Sequence, residues 1–229
     1  MTVHRLHTPL TASGLLMTLY LLLRPYGDAG GAQALEAAAA FADQRWVVSH
    51  LAGLLALCSV GVLMMRLARW SPSRLTRSGA GLGAVGVMGT LPYYGAETFG
   101  LHVIGQQVLA GGDQSLLVLV DQIRSTPAAL VLFGIGLLAF AAAGVLLAVA
   151  WQRRVSWAGW PLGLMIVLIL PQFALPPEGR MAFGVLYLLA SLVLVRSAQR
   201  AGAAGQPGAV APGHGVQAPR RPTPVRPAE

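Results

Sequence analysis

Six residues of this sequence carry reactive side chains at positions that long apolar stretches surround or border: His50, Tyr93, Tyr94, Glu97, His102 and Gln172. An imidazole beside a carboxylate can pass a proton. Two histidines and a glutamate can bind zinc or another transition metal, and two histidines on separate helices can ligate a haem iron. None of these chemistries has its diagnostic spacing, since the chain contains no HExxH and no CxxCH. No cofactor is expected, with a metal or haem as the alternative. The competing structural reading is a hydrogen bond or ion pair between His50 and Glu97 that locks two helices together. Ionisable groups inside a membrane are costly and point to function by default.

The elements that must position these residues are membrane helices. Of 229 residues, 55% are hydrophobic and 10% charged, which is too little charge to cover a water-facing surface. The hydrophobicity comes in long blocks rather than short alternating runs. We expect an all-α, polytopic transmembrane bundle over residues 1–196, with about six spans at 9–24, 46–70, 78–99, 127–151, 157–175 and 181–196. An Ala32-Gln33-Ala34 sequence resembles a signal-peptidase site. The Arg24-Pro25 pair and the long gap before it fit cleavage less well, so the first helix is expected to be retained. The two long connections, 25–45 and 100–126, should each hold short amphipathic helices, because AQALEAAAAFADQ is rich in strong helix formers. Residues 197–229 are rich in Ala, Gly and Pro and are expected to form a disordered tail. The lone cysteine, Cys58, reads as a small packing residue.

Depth and helical phase assemble the candidates. His50 lies one turn inward from Trp46, and Glu97 lies about 30 Å along the third span from its start. Tyr93, Tyr94, His102 and Gln172 fall near the same level. Gly79, Gly83, Gly86 and Thr90 recur at spacings of four, three and four, so they share one helix face suited to close packing. Glu97, seven residues after Thr90, continues that face unless Pro92 rotates the residues beyond it. His102 should point about 140° away from Glu97 on a continuous helix, so the two converge only if the chain breaks near Gly100.

All sixteen basic residues are arginines. With both termini cytoplasmic, twelve of them fall inside, and only Arg24, Arg45, Arg124 and Arg180 fall outside. The positive-inside rule selects that orientation in a plasma membrane. Both long connections then lie on the external face. The partners expected are the lipid bilayer and a membrane-protein partner or second copy. No basic run interleaved with aromatics suggests nucleic acid.

The Trp46-xxx-His50 start of the second span and YYGAETFGLH at 93–102 give the chain a layout that resembles uncharacterised six-span membrane proteins common in actinobacteria. That resemblance implies the fold and no activity. Three functions compete: small-ligand transport or sensing through an external vestibule, a metal- or haem-dependent membrane enzyme using His50, Glu97 and His102, and a structural or assembly partner in a membrane complex.

Overall fold

The computed structural model describes residues 2–204, and among these every regular element is helical. The expected tail from 205 onward lies outside the described residues. A 3-10 turn, Val3–Leu6, leads into α1, His7–Leu23. Then come α2 (Leu35–Ala42), α3 (Gln44–Trp70) and α4 (Arg74–Gly95). A π turn, Ala96–Gly100, joins α4 to α5, Leu101–Leu109. Beyond α6 (Val118–Ser125) lie α7 (Pro127–Arg154), α8 (Gly159–Val167) and α9 (Pro177–Ala204). Four stretches are long and apolar enough to cross a membrane: Val3–Leu23, Gln44–Trp70, Pro127–Arg154 and Pro177–Ala203.

Local chemistry sets several of these boundaries. The Asp43 carboxylate accepts from the Arg45 backbone N–H at 2.7 Å and caps α3. Ser73 and Thr76 form a reciprocal capping box at the start of α4. Pro127 opens α7, where its missing N–H costs nothing.

Three expected spans differ from what the chain builds. The third was expected over 78–99. The helical path instead runs from Arg74 through the π turn to Leu109, some 54 Å at 1.5 Å per residue, and continues past Pro92. The fifth was expected as a helix over 157–175. Only Gly159–Val167 is α-helical there, succeeded by a turn and a 3-10 turn at Pro171–Ala174. Pro171 has no N–H to give the Val167 carbonyl and its ring crowds that carbonyl, so the helix stops there. The last helix begins at Pro177 and runs on to Ala204 rather than ending at 196.

Helices α1, α3, α4, α7, α8 and α9 pack side by side as a bundle. One end, here called the open end, gathers the start of the chain and the ends of α3, α7 and α9. Arg66 donates to the Arg5 carbonyl there, and Trp70 lies 5.4 Å from Trp151. The other end carries a cap. The stretch 101–109 stands above the bundle, and α2 packs along it. Ala37, Phe41, Trp46, Leu101, Val108 and Val120 are buried together in a small core separate from that of the bundle.

Helix α4 sits between α3 and α7. Gly79, Gly83, Gly86 and Thr90 are all buried in that seam. A methyl group at Gly86 would lie 2.8 Å from the Phe140 ring, and one at Gly89 would lie 2.7 Å from the Leu132 carbonyl oxygen. The opposed contact is at Gly136, where a methyl would meet the Gly89 backbone at 3.0 Å. Backbones this close are what small residues permit when lipid tails offer no hydrophobic drive between helices. A Gly89→Val substitution has backbone, not a flexible side chain, in its way. It should lower the unfolding free energy by on the order of 1–3 kcal/mol. Gly81→Ala meets nothing within 4 Å and should be neutral or stabilising by up to about 1 kcal/mol. Thermal melts of the purified protein test this, and equal losses in both variants would contradict the packing described.

Candidate functional site

At the capped end four charged side chains alternate in sign. Arg24, just past the end of α1, donates to Asp28 Oδ2 at 2.8 Å. Asp28 Oδ2 also accepts from Arg124 at 3.0 Å. Arg124, near the end of α6, donates through Nε and Nη2 to Glu97 Oε1 at 3.0 and 2.7 Å. Glu97 lies in the π turn. The chain Arg24–Asp28–Arg124–Glu97 thus joins the end of α1, the turn after it, the cap and the α4–α5 helix. The Arg24 and Asp28 side chains are each only 6% exposed, so this is not a solvated surface pair. Burial alone would push the Asp28 carboxyl up, but Arg24 and Arg124 together outweigh it and hold the carboxyl below its ordinary range.

Trp46 stitches the next layer. Its indole N–H donates to the Glu97 backbone carbonyl at 3.2 Å. Arg24 lies over its ring at 5.0 Å. The His50 Nδ1–H donates to the Trp46 carbonyl at 2.8 Å. The His50 ring packs on Trp46 at 4.0 Å and against Tyr20 at 5.4 Å. His50 is almost fully buried.

Beneath the charges lies a cavity of about 870 Å³, within the range of small-molecule sites. Tyr20, Tyr93, Tyr94, Phe133 and Phe173 form its aromatic walls, and Arg24, Asp28, Glu97, Arg124 and Arg180 contribute its charge. Tyr93 stacks on Phe133 at 4.3 Å. The irregular stretch after α8 lines one side through Leu170, Phe173 and Leu175. Asp28 Oδ1 is buried and has no hydrogen-bond partner.

The structure therefore divides the six sequence candidates. Tyr93, Tyr94 and Glu97 line the cavity. His50 sits one layer behind it, and no hydrogen bond or ion pair joins it to Glu97; the two communicate through Trp46. The direct lock between this pair is thus replaced by Glu97–Arg124. His102 turns away and donates from Nδ1 to the Phe41 carbonyl at 2.7 Å, tying α5 to α2. The π turn does rephase the helix near Gly100, but it does not bring His102 to Glu97. Gln172 is buried outside the cavity wall, with its Oε1 unpartnered. Among the described residues no three His, Cys, Asp or Glu side chains converge to hold a metal.

Sequence reasoning missed Arg24, Asp28, Arg124, Arg180 and Tyr20. The signal was present: three of the four arginines that defy the charge bias are the three that line this cavity. The fourth, Arg45, pairs at the surface with Asp43. No family model, curated protein or solved structure matches the chain.

Two outcomes test the charge chain. Arg124→Gln removes the shared partner of two carboxylates and should cost on the order of 3 kcal/mol in unfolding free energy. The Asp28→Asn/Arg124→Gln double variant should lose less than the sum of the singles, because the two act as one unit; additivity would refute the coupling. The second outcome is a pH dependence. A carboxylate whose folded pKa is depressed contributes stability above its unfolded value and loses it as pH falls through the folded value. The thermal-midpoint advantage of wild type over Asp28→Asn should be full at about pH 6 and shrink below the ordinary value of 3.8. An advantage unchanged down to about pH 3 would contradict the depressed pKa.

Proposed function

We propose that the protein is a multi-pass integral membrane protein whose capped end faces outward, and that its cavity is the binding site of a small-ligand transporter or sensor. The reading rests on one observation: a cavity of about 870 Å³ with five charged side chains and an aromatic floor at the capped end. Buried charge at that level is expensive unless it serves a site. Both ends of the described chain lie at the open end, and the arginine bias supports a cytoplasmic side for that end. The break after α8 supports the same reading. Interrupted helices at membrane depth are where transporter-type folds expose backbone to a ligand.

Gly134 lines the cavity, and a side chain added there meets open space. In a Cys58→Ala background, Gly134→Cys should react with a membrane-impermeant maleimide added outside intact cells. Ala201→Cys, at the open end, should react only after permeabilisation. The reverse pattern would overturn the orientation, and a Gly134→Cys inert from both sides would overturn the vestibule.

A further inference from the structure

The cavity has a gap on its membrane side. Helix α8 ends at Val167, so beyond that point α7 loses its α8 neighbour. α7 packs on α4 and α8, while α9 packs on α1 and α8. Only the stretch from 168 to 176 stands between α7 and α9 at the capped end. Leu130 on α7 and Leu170 and Leu175 on that stretch line the cavity, yet they are 46%, 42% and 40% exposed. Aliphatic side chains that line a polar cavity and stay this exposed describe a sideways opening rather than a sealed wall.

The charges inside do not cancel. Asp28 and Glu97 are taken up by Arg24 and Arg124. Arg180 donates only to the backbone carbonyls of Leu175, at 3.0 Å, and Phe173. It has no carboxylate partner among the described residues. The cavity wall thus holds one guanidinium without a counter-charge, with N–H groups left for an anion, and, at Asp28 Oδ1, one buried acceptor without a donor.

Resting on the reading of the cavity as a ligand site, we infer that it takes the headgroup of a membrane phospholipid entering between α7 and residues 168–176. The phosphate would meet Arg180. A headgroup ammonium or hydroxyl two carbons beyond it would meet Asp28 Oδ1, and the acyl chains would leave past Leu130, Leu170 and Leu175. A phosphate ester from the aqueous side shares the headgroup chemistry but has no use for the apolar gap.

Full-length protein purified in a phospholipid-free detergent separates these cases. Its thermal midpoint is titrated with short-chain phosphatidylethanolamine, with short-chain phosphatidylcholine, whose trimethylated head has no donor, and with tail-less glycerophosphoethanolamine. The ethanolamine lipid should bind about tenfold more tightly than either of the others, one hydrogen bond or one apolar contact surface being worth at least that factor. Arg180→Gln should weaken it by about tenfold, as should Gly134→Leu, which fills the cavity; Arg45→Gln, on the surface, should change nothing. Equal binding of both lipids, or tail-less head binding as well as lipid, would overturn the inference. So would an unaltered affinity in Arg180→Gln with the fold intact by circular dichroism. Failure here with Gly134→Cys still labelled from outside refutes the lipid and leaves the vestibule; an unlabelled Gly134→Cys refutes both.

Discussion

Arg124 holds apart two carboxylates that would otherwise face one another across the top of the cavity. Asp28 belongs to the turn after α1, and Glu97 to the helix that leaves the bundle to build the cap. Neither is close to the other in sequence, and two buried carboxylates facing one another with no cation between them would be costly. Because Arg124 lies two residues before Thr126 and the start of α7, a single side chain fixes the cap, the end of α1 and the entry to α7 in one geometry. The cavity exists because these three pieces are held at a distance rather than collapsed onto each other.

Glycine does the complementary work lower down. The seam of Gly83, Gly86 and Gly89 brings α4 against α3 and α7 so closely that added side chains would collide with the neighbouring helices. Close contact in the middle of the bundle and separation at the capped end are two halves of one design. The π turn is the joint between them. It places Glu97 towards Arg124 and sends α5 away to support α2, and one-turn π insertions of this kind are frequent at functional sites.

The parts legible in the sequence were those governed by composition and period: the helical class, the apolar blocks, the glycine face, and Glu97 as one of the residues that line the cavity. Trp46 and Pro127 also announced the starts of their helices. The rest depended on partners distant in sequence. His50 and Glu97 share a level, yet depth carries no information about which neighbour each one meets. The Trp46 indole intervenes between them, and Arg124, 27 residues from Glu97, takes the carboxylate. The short α8 was hidden for a different reason. Hydropathy measures how apolar a segment is, not whether its backbone can close the hydrogen bond that Pro171 removes. An orientation count treats arginines that break the charge bias as noise, although a residue that violates a statistical rule at such cost is itself a marker of a site.

Trp46 touches most of this arrangement at once: its carbonyl takes His50, its N–H holds the π turn, and Arg24 rests over its ring. The other four of the five tryptophans, Trp70, Trp151, Trp157 and Trp160, all sit at the open end. The molecule therefore carries a built-in optical probe at the capped end. With the four distant indoles replaced by phenylalanine, the emission of the one that remains would report the state of the cavity roof alone, without any label attached.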